Sequence, residues 1–197
     1  MHEIALGISL GWAAGISPGP LTALIVTTSL RRGFAGGARV AIAPLITDVP
    51  VIALTVFALQ GVSEAMVRGL GVAGGMYLVW LGVQELRAGG LAPAETEVTG
   101  GSVDLRRGAL TNVLNPQMWI FWVTVGAPIV AGAGSTAGAA AFLGSFYLLL
   151  VGTKLMLAWL VGRSSTLVVD ARWARRMAVA GGLALVVLGV VIAARGW

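Results

Sequence analysis

Long apolar runs separated by short polar connections form the main pattern along this chain. Six of the runs have the ~20 mostly apolar residues that a helix needs to cross a bilayer. Their approximate limits are 4–29, 40–60, 69–86, 108–131, 137–162 and 177–194. The pattern therefore predicts an all-α integral membrane protein with six transmembrane helices.

One connection, between the third and fourth runs, is longer and more polar than the others. It is rich in glycine, alanine, proline and glutamate, a composition typical of a mobile linker. We therefore predict a first three-helix half at 1–87, a cytoplasmic linker at 88–106 and a second three-helix half at 107–197. Because each half has an odd number of spans, the second half starts from the opposite side of the membrane. This topology permits a 3+3 inverted repeat.

The composition strengthens the membrane interpretation. Hydrophobic residues make up 57% of the 197 residues, and charged residues make up only 11%. Soluble domains carry about 25% charged residues, so this chain has less than half of the charge that usually covers a soluble surface. We expect membrane lipid to surround the helices.

Several classes of chemistry are excluded by residues that the sequence lacks. Cysteine is absent, which excludes disulfides and thiol redox chemistry. The single histidine, His2, cannot build a metal site alone, so we expect no metal and no cofactor. The sequence has no nucleophile–base pair and no ATP-binding motif. We therefore do not expect an enzyme.

The basic residues predict an orientation in the membrane. The formal net charge is +5, but the arginines lie in short connections between apolar runs, so we expect no nucleic-acid partner. The first, third and fifth connections hold Arg31, Arg32, Arg39, Arg87, Arg106, Arg107, Arg163, Arg172, Arg175 and Arg176. The opposite side holds only Arg68 and Arg195. Because the arginine-rich side faces the cytoplasm, we predict a plasma-membrane protein with both termini outside.

Two proline-containing segments interrupt corresponding helices of the two halves. The interruption in span one is formed by Ser17, Pro18, Gly19 and Pro20. The interruption in span four contains Asn112, Asn115 and Pro116. Proline removes a backbone donor and clashes with the preceding turn, and irregular backbone in a membrane is tolerated only beside protein or a water-filled cavity. We therefore predict broken helices 1 and 4 that line a substrate site.

Two ionisable residues lie inside apolar runs at a similar depth. Asp48 lies between two prolines in span two, and Lys154 lies in span five. A rise of about 1.5 Å per residue places them roughly 12 and 13 Å from the cytoplasmic ends of their helices. Pro18 and Asn115 lie roughly 16 and 10 Å deep on the same scale. Features from four helices thus share one layer, which indicates a functional site.

Each of these features also has a purely structural explanation. Asp48 could cap a helix that restarts before Pro50. Lys154 could extend along its stem toward the cytoplasmic interface. The prolines could serve only to bend helices. A pair formed by Asp48 and Lys154 would satisfy both the structural and the functional interpretation.

Glycines and tryptophans in the apolar runs are expected to serve packing. Glycines recur every fourth residue in span one, at Gly7, Gly11, Gly15 and Gly19. This spacing lets helices approach closely, and Gly19 could also let a substrate approach the backbone. We expect the tryptophans to be interfacial or packing aromatics, namely Trp80, Trp119, Trp122 and Trp159.

Two motifs at the interruptions connect this chain with a known family. The first is Gly-Ile-Ser-Pro-Gly-Pro at 15–20, followed by Arg-Arg-Gly at 31–33 and the neighbourhood of Asp48. The second is Gly-Ala-Leu-Thr-Asn-Val-Leu-Asn-Pro at 108–116. In these motifs and their order, the sequence resembles the lysine exporter (LysE/RhtB) family of amino-acid efflux translocators. The resemblance extends along nearly the whole chain.

This resemblance implies a secondary exporter of amino acids or similar small zwitterions, driven by an ion gradient such as that of protons. Backbone and amide groups around both interruptions would then hold the ammonium and carboxylate groups of the substrate. Asp48 would carry the coupling proton or contact the ammonium. Lys154 would hold Asp48 charged in one state and meet the substrate carboxylate in another.

Two alternatives to amino-acid export stay open at this point. The departures from the family pattern at Thr47 and at Gly152-Thr153-Lys154 leave the substrate open. One alternative is an exporter or channel for another small solute or ion, and another is a structural subunit that transports nothing. The small-residue faces would also permit a homodimer.

Overall fold

The computed structural model of the protein describes residues 2–59, 63–88, 101–163 and 171–195. Within these ranges the chain is helical almost throughout and contains no β-strand. The α-helices are α1 (His2–Ile16), α2 (Pro20–Ala41), α3 (Ala43–Leu59), α4 (Glu64–Ala88), α5 (Gly101–Val113), α6 (Pro116–Phe121), α7 (Ala127–Ala131), α8 (Thr136–Arg163) and α9 (Ala171–Arg195), with a π-helical turn at Trp122–Gly126 between α6 and α7.

Long apolar helices dominate the described residues. By length and hydropathy, two stretches can cross a membrane, 20–59 and 136–163, and a third can if the bent pair 102–113 and 117–131 counts as one span. The first stretch has 40 residues, or about 60 Å of helix at 1.5 Å per residue, which is twice the ~30 Å hydrocarbon core. Gly33 interrupts it with φ 69° and ψ −172°, a conformation that glycine adopts without a Cβ clash.

The first predicted interruption is a gap between α1 and α2. Helix α1 ends at Ile16, and α2 begins at Pro20, where a missing N–H costs nothing because the first turn has no intrahelical acceptor. Gly19 precedes Pro20 in extended conformation, with φ −159° and ψ −178°, as the residue before a proline prefers. The chain thus leaves the helical conformation where the prolines predict it.

The second predicted interruption separates α5 from α6. The axes on either side of it differ by 59°. Asn115 is the N-cap of α6, and its Oδ1 accepts a hydrogen bond of 3.0 Å from the backbone N–H of Gln117. Pro116 is the first residue of α6, so the two residues restart the helix in the usual order of cap and proline.

The proline-flanked part of span two does not interrupt its helix. Residues 44–50 all belong to α3, which runs from Ala43 to Leu59 with Pro50 inside it. Asp48 therefore lies inside a helix, and the alternative that it caps a restarted helix is wrong. Proline is compatible with the first turn of a helix, and this explains why Pro44 leaves α3 intact.

The predicted linker lies partly outside the described residues. Residues 89–100 belong to the part of the chain for which the structure gives no description. Helix α5 begins at Gly101, so residues 101–106 of the predicted linker are helical. The division of the chain at 1–87, 88–106 and 107–197 stays a prediction.

Helices from the two halves of the sequence pack against each other. The most extensive contacts join α4 to α9, α1 to α8, and α2 to α8. Glycine makes these contacts close: a Cβ added at Gly7, Gly11 or Gly15 would collide with atoms of α8. The prediction that these glycines serve close helix packing is therefore confirmed, whereas a Cβ at Gly19 would meet nothing within 4 Å.

Candidate functional site

A cavity of about 150 Å3 lies between the two interruptions. Its wall includes eight of the nine residues that the sequence predicts for a site: Ser17, Pro18, Gly19, Pro20, Asp48, Asn112, Asn115 and Lys154. The ninth, Pro116, is placed by its backbone as the first residue of α6. Five helices thus bring the predicted site residues to one place, although they are spread over more than 130 positions of the sequence.

Asp48 is the centre of a buried hydrogen-bonded cluster in this cavity. Its side chain in α3 is 3% exposed. Oδ1 accepts a hydrogen bond of 2.6 Å from Asn112 Nδ2, and Oδ2 accepts one of 2.9 Å from the Tyr147 hydroxyl. Trp122 Nε1 also donates to Oδ2, at 3.3 Å. All three of these donors are uncharged.

The Asn112 amide also joins the two halves of the chain. Its Nδ2 donates to Asp48 Oδ1 and, at 2.8 Å, to Thr47 Oγ1. The Thr47 hydroxyl in turn lies 3.0 Å from the carbonyl of Ala43, one turn earlier in α3. The amide of α5 is therefore held against α3 by two adjacent side chains, and its position fixes one side of the Asp48 carboxylate.

Two aromatic side chains fix the other side of Asp48. Trp122 is the first residue of the π-helical turn, and its side chain is fully buried. Its ring stacks on the ring of Tyr147 with centroids 6.3 Å apart and planes 22° apart. Pro128 lies two residues after the π-helical turn ends and cannot donate a backbone hydrogen bond. π-Helical turns of this kind are common near functional sites.

Lys154 holds together the broken first helix. Its Nζ donates to the Gly15 carbonyl at 3.4 Å, near the C-terminal end of α1. It also donates to Thr22 Oγ1 at 3.0 Å, in the first turn of α2. The Thr22 hydroxyl donates to the Ser17 carbonyl at 2.9 Å. A cation at the C-terminal end of a helix is favourable because the last carbonyls lack intrahelical partners.

The described contacts of Asp48 and Lys154 involve different partners. Both side chains are at most 4% exposed, and both line the same cavity. Lys154 lies inside α8 and bonds to α1 and α2 instead of extending to an interface, so the alternative that it snorkels is wrong. The pairing of Asp48 with Lys154 stays a prediction.

Sequence inspection missed two of the residues that hold Asp48. Trp122 was expected only to pack, and it does pack, but it also donates a hydrogen bond to the carboxylate. Tyr147 was not singled out, although it is one of only two tyrosines in the chain. Its distance of seven residues from Lys154 puts the two side chains on one face of α8, and this spacing is the signal that could have identified it.

A second buried carboxylate lies outside the cavity, near the start of α5. Asp104 Oδ1 is 2.7 Å from Arg32 Nη1, and its Oδ2 is 4.0 Å from Arg39 Nη1. The Asp104 side chain is 4% exposed, whereas those of Arg32 and Arg39 are 24% and 50% exposed. This cluster joins α2 to α5, and therefore joins the two halves of the chain.

The donor set of the site does not resemble a metal centre. Within the described ranges, no group of three or more histidine, cysteine, aspartate or glutamate side chains could hold a metal ion. The cavity wall instead combines one carboxylate, one ammonium, three amides and hydroxyl groups. Such a set suits an organic solute that has both donor and acceptor groups.

Comparisons with known proteins identify the family and a relative of the chain. The model of the LysE type translocator family matches residues 13–196. The chain is also 34% identical, over 149 residues, to the chemotactic transduction protein ChpE of Pseudomonas aeruginosa. That alignment covers 70% of this chain and 71% of the relative. No solved structure matches the chain.

Proposed function

Because the chain belongs to the LysE type translocator family, whose members are membrane transporters and not enzymes, we propose that it exports amino acids or similar small zwitterions. Membership of this family supports a membrane exporter of small solutes. The observation that favours amino acids as the substrate is the cavity, which contains one carboxylate, Asp48, and one ammonium, Lys154.

The charges in the cavity match those of a zwitterion. A substrate ammonium would form an ion pair with Asp48, because the hydrogen-bond donors around that carboxylate are uncharged. A substrate carboxylate would meet Lys154 and the N-terminal end of α2, where Leu21 and Thr22 have N–H groups without intrahelical acceptors. Half-helix ends of this kind bind charged groups in other transporters.

Asp48 is also the residue that we propose for energy coupling. A proton and a substrate ammonium would compete for the same carboxylate, so binding of one would favour release of the other. The surrounding donors from Asn112, Trp122 and Tyr147 would keep the carboxylate in one position during this exchange. A proton gradient across the plasma membrane would then drive export.

The proposed topology has six spans, both termini outside, and two halves related by an inverted repeat. Both halves contain a broken helix, α1–α2 and α5–α6. Glycine contacts between α4 and α9 support the repeat. Gly75 and Gly82 are the twelfth and nineteenth residues of α4, and Gly182 and Gly189 occupy the same positions in α9.

The four glycines contact each other in a symmetric way. A Cβ at Gly75 would meet the Gly189 carbonyl, and a Cβ at Gly82 would meet the Gly182 carbonyl. The reverse additions, at Gly189 and Gly182, would meet the carbonyls of Gly75 and Gly82. A two-fold axis between α4 and α9 would produce reciprocal contacts of this kind, so they support the proposed repeat.

A homodimer draws no support from the small-residue faces. The glycine face of α1 packs on α8, and that of α4 packs on α9. These faces are therefore occupied within one chain and offer no surface to a second copy. If the protein forms a dimer in the membrane, other surfaces would have to supply the contact.

The experiment that tests the proposed function is efflux from proteoliposomes that contain the purified protein. The vesicles are loaded with a mixture of labelled amino acids, and an inward proton gradient is imposed. We expect gradient-dependent loss of at least one amino acid, and loss of export on the order of 100-fold in Asp48→Asn, because an amide cannot exchange a proton or pair with an ammonium. Equal efflux from protein-free vesicles would contradict the proposal.

A second candidate function comes from the P. aeruginosa relative, which is named as a chemotactic transduction protein. On this alternative, the chain is a membrane subunit that acts in signalling and transports nothing. The two candidates differ in what Asp48 does. A signalling subunit that needs only correct folding would keep its activity in a folded Asp48→Asn variant, whereas an exporter would lose it.

A further inference from the structure

The side walls of the cavity are apolar. Apart from the polar groups near the interruptions, the cavity is lined by large hydrophobic side chains, among them Leu10, Leu78, Leu81, Phe146, Leu150 and Leu185. These residues come from α1, α4, α8 and α9, so the apolar wall surrounds the space from several directions. A substrate that fills the cavity must therefore place apolar atoms against this wall.

Apolar lining residues lie beside both charged side chains of the cavity. Leu150 and Phe146 precede Lys154 in α8 by four and eight residues, or roughly 6 and 12 Å along the axis. Phe146 is also the neighbour of Tyr147, whose hydroxyl donates to Asp48 Oδ2. A substrate that contacts Asp48 and Lys154 therefore meets the apolar wall as well.

The two charged side chains of the cavity wall have opposite signs, so the wall carries no net charge for a charged substrate side chain to compensate. Within the described part of the chain, the charged side chains that line the cavity are Asp48 and Lys154. The ammonium and carboxylate of an amino acid match this pair. A lysine or arginine substrate would carry a further positive charge against the apolar wall, where the described lining offers no second carboxylate. Burial of an unpaired charge is costly.

We propose that the substrate is a neutral amino acid with an aliphatic side chain, such as valine or leucine. This inference rests on the proposed function and deepens it. Cavities of about 150 Å3 lined by leucine, isoleucine and phenylalanine bind solutes of the size of benzene. The cavity found here has a volume of about 150 Å3, and this includes the space beside Asp48 and Lys154. The ammonium and carboxylate of the substrate occupy part of it, so the remainder favours an aliphatic side chain of a few carbons and disfavours the indole of tryptophan.

The test compares substrates in proteoliposomes that contain the complete protein. Vesicles are loaded with equal concentrations of labelled valine, leucine, lysine, arginine, glutamate and tryptophan. We expect valine and leucine to leave, and lysine and arginine to leave more slowly on the order of 100-fold. Export of lysine or arginine at the rate of valine would overturn this inference and leave the proposed function intact. Export of no amino acid would overturn both.

A pair of variants tests whether the apolar wall selects the side chain. Leu150 and Leu157 lie seven residues apart in α8 and are 7% and 8% exposed, but only Leu150 is described as lining the cavity. Leu150→Ala enlarges the cavity, so we expect the export of phenylalanine relative to valine to rise roughly tenfold. Leu157→Ala removes the same atoms from another cluster and should leave the ratio unchanged. An equal ratio in both variants would overturn the role of the wall.

Discussion

Two buried carboxylates, Asp48 and Asp104, are held in different ways. Both are 3% exposed. Asp104 lies against Arg32 at 2.7 Å, with Arg39 at 4.0 Å, so its negative charge is compensated by the protein itself. Asp48 accepts hydrogen bonds from the uncharged donors of Asn112, Trp122 and Tyr147. Those donors fix its position but do not neutralise its charge.

Under the proposed function, this difference separates a structural carboxylate from one that would bind a substrate. An arginine in direct contact leaves a carboxylate little to gain from another cation, and the pair serves to join α2 to α5. Uncharged donors stabilise a carboxylate while leaving its charge available to a proton or an ammonium. The cavity beside Asp48 gives such a cation access.

The largest effects are expected when each carboxylate is replaced by its amide. Asp48→Asn should lower export on the order of 100-fold and change stability little, because asparagine keeps the shape of the side chain. Asp104→Asn should retain export in the fraction that folds. It should lower the free energy of unfolding by about 1–3 kcal/mol, because Arg32 loses a partner.

The measurements are proton-driven efflux and the thermal unfolding midpoint in detergent, made on both variants. Loss of export in Asp104→Asn at normal stability would contradict a purely structural role for Asp104. Normal export by Asp48→Asn would contradict a transport role for Asp48. In the first case the Arg32–Asp104 pair would take part in transport, and in the second the Asp48 carboxylate would have no role in coupling.

A smaller effect is expected from the tyrosine that holds Asp48. Tyr147→Phe removes a hydrogen bond of 2.9 Å to Oδ2 and should lower export roughly tenfold, because a bond to a charged group contributes about 1.5 kcal/mol or more. The control is Tyr77→Phe. The Tyr77 hydroxyl is buried without a described hydrogen-bond partner, so its removal should leave export unchanged and stability equal or higher.

Efflux rates measured at matched protein density compare the two tyrosine variants directly. A loss of export in Tyr147→Phe alone would locate the effect at Asp48. A similar loss in both variants would instead indicate that removing either tyrosine hydroxyl disturbs the packing of the helices, whether or not it contacts Asp48. Unchanged export in Tyr147→Phe would show that the remaining donors suffice to position the carboxylate.

The smallest effect is expected at the edge of the Asp104 cluster. Arg39 is half exposed and lies 4.0 Å from Asp104, so Arg39→Gln should change the free energy of unfolding by about 0.5 kcal/mol or less. Arg32 makes the shorter contact with Asp104, at 2.7 Å, so Arg32→Gln should lower the free energy of unfolding by a larger amount. Thermal unfolding midpoints of the two variants check this order, and a larger loss in Arg39→Gln would reverse the assignment of the principal partner.

Much of the candidate site could be predicted from the sequence because its signals are local. Proline lacks an N–H wherever it stands and favours the first turn of a helix, so helices that begin at Pro20 and Pro116, after gaps at 17–19 and 114–115, agree with local preferences. Pro50 shows that a proline alone does not end a helix. Glycine at every fourth residue lies on one helix face regardless of the neighbour, and Gly7, Gly11 and Gly15 do pack against α8. Ionisable residues in apolar runs are likewise recognisable from the sequence, because placing a charge in the membrane is energetically unfavourable unless it has a function or a partner.

The partners of those residues could not be predicted from the sequence. Tyr147 lies 99 positions from Asp48, and Arg32 lies 72 positions from Asp104. Whether two such side chains meet depends on how each helix is rotated and crossed against its neighbours, and the local sequence does not encode these angles alone. The alternative that Asp48 caps a helix is wrong for a related reason: local residue preferences permit both a cap and a continuous helix.

The apolar helices, both interruptions and the candidate residues beside them are predictable from the sequence alone. Hydropathy, proline geometry and helical period are properties of short segments, so they need no knowledge of the packing. Tertiary structure decided which donors surround Asp48, which arginine compensates Asp104, and that Lys154 fastens the ends of α1 and α2. These contacts join segments far apart in the chain, and they exist only because the packed helices bring each donor within hydrogen-bonding distance of its acceptor.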